Sequence, residues 1–100
     1  MYVIVRNNLS YPQKCVQSCH AAIEAARELL SPDQEHPHLV ITVVKNEAKL
    51  KRLAETLTEK NIKHKIFIEP DIGHQVTAIA TAPISGKDRE MFRHYQLLME

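Results

Sequence analysis

Leu39-Val40-Ile41-Thr42-Val43-Val44 is six apolar or β-branched residues in unbroken succession, with no helical spacing. A run of this kind reads as a strand covered on both faces, and such strands belong to sheets flanked by helices. The rest of the chain alternates accordingly. Tyr2-Val3-Ile4-Val5 is a shorter β-branched run followed by the turn pair Asn7-Asn8, so residues 1–6 are expected to form a first, central strand. Ser10 with Gln13 three residues on, and Pro12 in the first turn, open a helix that runs to about Leu30. Asn46 caps a second helix that reaches about Lys60, with Leu50, Leu53, Ala54 and Leu57 inward and Asn61 at its end.

Lys65-Ile66-Phe67-Ile68 reads as a third strand. Gly73 in Asp71-Ile72-Gly73-His74 supplies the left-handed residue of a hairpin leading into a fourth strand, Gln75 to Thr81. After Pro83 and Ser85-Gly86, the positions of Met91, Tyr95 and Leu98 predict a last helix over Lys87 to Leu98. The expected fold is a three-layer α/β/α sandwich with a four-stranded mixed sheet, in the order β-α-β-α-β-β-α. One hundred residues are too few for two ordinary domains, so residues 1–100 are expected to form one. On the first helix, Val16, Cys19, Ile23, Ala26 and Leu30 repeat at helical spacing and predict the packed face. Gln13, Gln17, His20 and Glu24 form a polar stripe left available. Ala78, Ala80 and Ala82 on the fourth strand admit the close approach of either a helix or a ligand.

Composition excludes several classes. A net charge of +1 gives no global field for nucleic acid, and the basic run Lys45, Lys49, Lys51, Arg52, Lys60, Lys63 and Lys65 is diluted by Glu47, Glu55 and Glu59. With Gly73 and Gly86 the only glycines, no Gly-rich phosphate loop is present. No apolar stretch approaches the roughly 20 residues that cross a bilayer, and the first residues read as a strand rather than a signal peptide, so a cytoplasmic protein without membrane contact is expected. Cys15 and Cys19 have neither redox nor zinc spacing, and His36, His38, His74 and His94 make no ligand pattern. No metal and no cofactor are expected.

Chemistry is expected around the first helix and Glu69-Pro70-Asp71. In open α/β sheets, ligands sit outside strand ends, where carboxylate and amide groups can converge to activate water. Asp71 fits that role, or else closes its own turn through a local hydrogen bond. His20 reads either as a general base or as a hydrogen-bonded structural histidine.

Val3-Ile4-Val5-Arg6, Gln17-Ser18-Cys19-His20-Ala21-Ala22, Thr77-Ala78-Ile79-Ala80-Thr81-Ala82-Pro83 and Tyr95-Gln96-Leu97-Leu98 resemble, in order and spacing, the segments of the type II peptidyl-tRNA hydrolases. The second is similar to that family's Gln-x-x-His-Ala-Ala helix motif. The resemblance implies hydrolysis of the ester joining a peptide to the tRNA 3′ ribose, with tRNA as partner. It implies Asp71, Gln17 and Lys14 as catalytic residues, Gln17 orienting a water or substrate group. Gly73 and Gln75 stand as counterparts of residues in the family's acidic motif, whose threonine has no clear match here; together with His20, Glu69 and Thr77 they are expected to be supporting or substrate-binding. Where the family carries two lysines in a Gly-Lys-Gly-Lys run, this chain has Tyr11-Pro12-Gln13-Lys14, and its acidic turn is shorter, so it reads as a divergent member. A non-catalytic module holding RNA or protein on the basic second helix is the alternative. A homodimer paired through apolar residues of the final helix is compatible with both.

Overall fold

The computed structural model describes residues 1–99. Its elements are β1 (Tyr2–Arg6), α1 (Tyr11–Leu29), β2 (Val40–Val44), α2 (Glu47–Glu59), β3 (His64–Glu69), β4 (Gln75–Thr81) and β5 (Gln96–Leu97), with 3₁₀ turns at Pro70–Ile72 and Gly86–Phe92. The sheet is mixed and five-stranded, in the order β3-β4-β1-β2-β5. β1 runs parallel to β2 and antiparallel to β4, while β3 and β5 are antiparallel to the strands they join.

Each face of the sheet carries its own core. Val3, Val5, Ala78 and Ala80 meet Ala21 and Ala25 of α1 on one face, and Ile4 and Ile79 meet Leu50, Leu53, Ala54 and Leu57 of α2 on the other. The cover is fullest on β1 and β4: Val3, Ile4 and Val5 are buried, whereas Val40, Ile41 and Val44 of β2 are only half-buried. The long apolar run thus correctly marks a strand, but β1 is the strand enclosed on both sides. Its place in the middle of the sheet explains why.

Two further expectations are corrected. α1 buries Lys14, Gln17, Ser18, Ala21 and Ala25, whereas Val16 and Ile23 are 48% and 56% exposed. Size decides this over hydrophobicity. Ala21 and Ala25 let the helix settle directly onto Ala78 and Ala80, a separation that the larger side chains would not permit. The polar residues on the same face remain hydrogen-bonded, Ser18 Oγ donating to the Lys14 carbonyl at 2.7 Å.

The second correction falls on the expected helix over Lys87 to Leu98. Gly86–Phe92 winds as 3₁₀ turns, and the chain then extends as β5, which adds the fifth strand. Phe92 anchors this segment, stacked on Tyr2 at 4.2 Å and edge-on to Tyr95 at 5.7 Å. Met91 and Tyr95 do pack inward on the α2 side, but Leu98 packs on the opposite face, with its N–H donating to the Ile41 carbonyl. A continuous helix would put Leu98 on the Met91 face and away from the sheet edge. The apolar spacing is therefore met by a turn and a strand, and the final-helix dimer surface does not exist.

Candidate active site

β1 and β2 are parallel, so Arg6 and Val44 end at one edge of the sheet, and α1 and α2 both begin there. β3 ends at the same edge with Glu69, and β4 starts there with Gln75. Side chains from five elements therefore converge just outside the carboxyl ends of the parallel strands, where open α/β sheets place their ligands.

Local sequence builds each part. Ser10 caps α1, its hydroxyl accepting from the Gln13 N–H at 3.3 Å, which fixes where the helix starts and turns Lys14 and Gln17 toward the sheet. Glu69 Oε1 accepts the N–H of Asp71 at 3.2 Å, and Pro70 presets the backbone of the 3₁₀ turn. Gly73 and His74 then both lie at positive φ, 76° and 57°, to reverse the chain into β4.

β4 departs from regularity at the site. Phe67 pairs with Ala78 while Ile68 pairs with Val76, which leaves Thr77 as an extra residue. Val76 packs with the α2-side core and Ala78 with the α1-side core, an arrangement that strict alternation forbids and a bulge produces. Thr77 is thereby turned toward α1, and its hydroxyl donates to Gln17 Oε1 at 2.6 Å. Beside the irregularity, the Val76 N–H donates to Glu47 Oε2 at 2.8 Å.

Gln17 is the centre of the cluster. Only 1% exposed, it accepts from Thr77 and donates through Nε2 to Glu69 Oε2 at 2.9 Å and to Gln13 Oε1 at 3.3 Å. The Gln17 amide, then the Asp71 N–H, hold the Glu69 carboxyl below its ordinary range against the opposing effect of desolvation, with a lesser lowering contribution from the nearby His20. Lys14 is buried and donates to Asn7 Oδ1 at 2.9 Å. Arg6, also buried, donates to Asn8 Oδ1 at 3.0 Å, to Gln75 Oε1 at 2.5 Å and to the Val76 carbonyl at 3.4 Å.

The structure thus brings Gln17, Glu69 and Thr77 into direct contact, with Gln75 joined to the neighbouring Arg6. Lys14 faces Asn7 on the same edge. Asp71 is exposed at the tip of the turn, and its carboxylate takes no hydrogen bond among the described residues. Glu69, not Asp71, closes the turn. His20 is exposed and stacks on Phe67, ring centroids 4.7 Å apart. Arg6, Asn7, Asn8 and Glu47 were not anticipated from sequence. Arg6 offered one signal, a cation closing a run of buried strand residues; Asn7-Asn8 was legible only as a turn.

Among the described residues, no three His, Cys, Asp or Glu side chains gather as a metal site. An apolar groove of about 550 Å³, lined by residues including Met1, Ile23, Leu30, Pro37 and Leu39, lies at the opposite end of the sheet and includes none of the polar cluster. It carries no acid, and the chemistry is assigned to the carboxyl-end edge instead.

The fold is shared with a solved structure of a protein of unknown function, Atu0240, from Agrobacterium tumefaciens strain C58. It matches 98% of this chain and 96% of that one, with a TM-score of 0.63 and 12% identity, a likeness of fold alone. Two curated proteins, named "Putative peptidyl-tRNA hydrolase PTRHD1" in Homo sapiens and in Mus musculus, are each 33% identical over 68% of this chain. The chain spans 59% of their length. The family model of the peptidyl-tRNA hydrolase PTH2 matches residues 1–98, nearly all of the sequence, and by this match the chain belongs to the PTH2 family.

Proposed function

We propose that this protein hydrolyses the ester joining a peptidyl or aminoacyl group to the 3′ ribose of tRNA, using a water positioned at the Glu69-Pro70-Asp71 turn. The observation that carries this reading is the buried Gln17 clamp. Its amide holds Glu69 while its oxygen is held by Thr77, so the turn that carries Asp71 is fixed to both a helix and the sheet. Family membership supports the substrate class, and the free thiols Cys15 and Cys19 accord with action in the cytoplasm.

Both Glu69 oxygens accept hydrogen bonds, one from Gln17 and one from Asp71, which makes Glu69 an anchor rather than a base. Gln17 is likewise saturated: both amide hydrogens are engaged, and its role is to position the turn. Asp71 is left as the carboxylate able to accept a proton from water. Water adds to the ester carbonyl as its proton passes to Asp71. The bond from the carbonyl carbon to the ribose oxygen then breaks, and the proton is returned to that leaving oxygen. Lys14, with donors remaining beyond the one given to Asn7, stabilises the charge that develops on the carbonyl oxygen or holds the adjacent phosphate.

The test is turnover of peptidyl-tRNA and aminoacyl-tRNA by the purified protein. Asp71→Ala is expected to lower kcat about 10²- to 10⁴-fold with an unchanged circular dichroism spectrum. Gln17→Ala should lower it through the loosened turn. The rate lost in Lys14→Ala should shrink at higher salt if Lys14 meets phosphate. Full turnover in both Asp71→Ala and Gln17→Ala overturns the residue assignment. An inactive wild-type protein that binds RNA in a salt-dependent way, with binding lost on charge reversal at Lys49 and Arg52, overturns the hydrolase reading in favour of a binding module.

A further inference from the structure

The carboxyl-end edge of the sheet continues past the acidic turn. The turn joins β3 to β4; beyond β1, the same edge holds an open pocket of about 330 Å³ beside the end of β2 and β5, lined by Asn7, Asn8, Val43, Val44, Lys45 and Gln96. Neighbouring strands lie about 4.8 Å apart, which puts the pocket about 10–15 Å from the turn along the edge. None of its lining residues is an acid. Glu47, the acid nearest in sequence, is taken up by the Val76 N–H at 2.8 Å and by Lys51 Nζ at 3.8 Å.

The amides of Asn7 and Asn8 are oriented from behind. Lys14 Nζ donates to the first at 2.9 Å and Arg6 Nε to the second at 3.0 Å. Neither cation can accept a hydrogen bond, so the atoms turned to them are the two Oδ1 oxygens. Each Nδ2 group is left outward on an exposed residue, and neither donates to any of the described residues. Lys45 adds an exposed ammonium that joins no ion pair among the described residues. Gln96 Nε2 reaches only Met99 Sδ, at 4.0 Å, and can turn to a better acceptor. The pocket therefore presents donors and a cation, with two further cations buried behind the amides. A phosphate, whose oxygens take several donors at once, suits such a set. The edge is divided by charge: carboxylates stand over β3 and β4, amide donors and cations from β1 to β5.

We propose that the pocket of Asn7, Asn8 and Lys45 binds a phosphodiester of the RNA strand that leads to the ester. The inference rests on the reading of the substrate as a tRNA ester. The strand then runs along the edge, its esterified end at Asp71 and its backbone over β1 and β2. Asn7 ties the two parts together, because the Lys14 that it holds is the cation assigned to the reacting end.

The probe is the ribotrinucleotide CCA with a free 3′ hydroxyl, compared with inorganic phosphate, on the whole chain. CCA is expected to shift the NMR signals of Asn7, Asn8 and Lys45. Asn8→Asp keeps the oxygen that Arg6 needs and replaces the outward donor with a charged oxygen. It should weaken CCA binding about tenfold, with an unchanged circular dichroism spectrum. Lys45→Ala should lower the slope of log affinity against log salt by about 0.7, whereas Lys60→Ala, at the far end of α2, should leave the slope as it is. In turnover of peptidyl-tRNA, Asn8→Asp and Lys45→Ala should raise KM and change kcat little. No shift with CCA, affinity and salt slope indifferent to both substitutions, or inorganic phosphate bound as tightly as CCA each overturns the proposal. Wild-type turnover with KM unmoved in both variants overturns it too, and leaves the hydrolase reading standing. CCA bound at these residues by a protein that hydrolyses no tRNA ester upholds the phosphate site and removes the hydrolase reading.

Discussion

The hydroxyl of Thr77 is donated to a glutamine oxygen shut off from solvent, whereas the hydroxyl of Thr42 is buried without a partner among the described residues. The same substitution should therefore act in opposite directions at the two sites. Thr77→Val orphans Gln17 Oε1 and is expected to cost about 1–3 kcal/mol, while Thr42→Val removes an unpaired polar group and should be neutral or stabilising. Urea midpoints at unchanged slope would separate the two. A second residue-scale consequence concerns Glu69, whose folded pKa lies below its unfolded value. The stability it supplies is complete above the ordinary carboxylate range and is lost as pH falls through the lowered value. Gln17→Ala removes the first cause of that lowering. A carboxyl NMR titration of Glu69 should then move up toward the ordinary value, and an unmoved titration would show that the amide is not the cause. The sequence revealed Gln17, Glu69 and Thr77 as separate candidates. That Glu69 takes the turn-closing bond first considered for Asp71 is a matter of local geometry, which residue types alone do not fix.

At the scale of elements, caps and strand cores were legible because their signals are local. Ser10 and Asn46 each accept a backbone N–H three residues on, and Asn61, at φ 58°, follows the end of α2. The inward face of α1 was not legible, because hydrophobic spacing favours Val16 and Ile23 whereas fit against Ala78 and Ala80 favours Ala21 and Ala25. This assignment has a direct check. Ala25→Leu should cost about 1–3 kcal/mol by overpacking the helix against the sheet. Ile23→Ser, on the outward side, should stay within about 0.5 kcal/mol in the same unfolding measurement. The bulge at Thr77 was hidden for a related reason: Gln75 to Thr81 reads as an ordinary alternation, and only pairing with β3 exposes the additional residue. The last segment shows the converse, since Met91, Tyr95 and Leu98 mimic a helix in spacing while the sheet edge draws the chain into β5.

At the scale of the molecule, the two cores share the sheet as a common wall, and the polar cluster sits where that wall, both helices and the acidic turn meet. The β3 edge borders this cluster through Glu69. Both helices also start at the same end of the sheet. Their peptide dipoles consequently point the same way, each presenting about half a positive charge at that end. A net charge of +1 gives little attraction at long range. The helix dipoles instead add positive potential next to Lys14 and Arg6, within about the first turn of each helix, and offset part of the negative charge of Glu47, Glu69 and Asp71 gathered at the same end. Whatever anion this end meets is therefore favoured only at close range, by the first turns of α1 and α2 and the two buried cations, and not by the charge of the molecule as a whole.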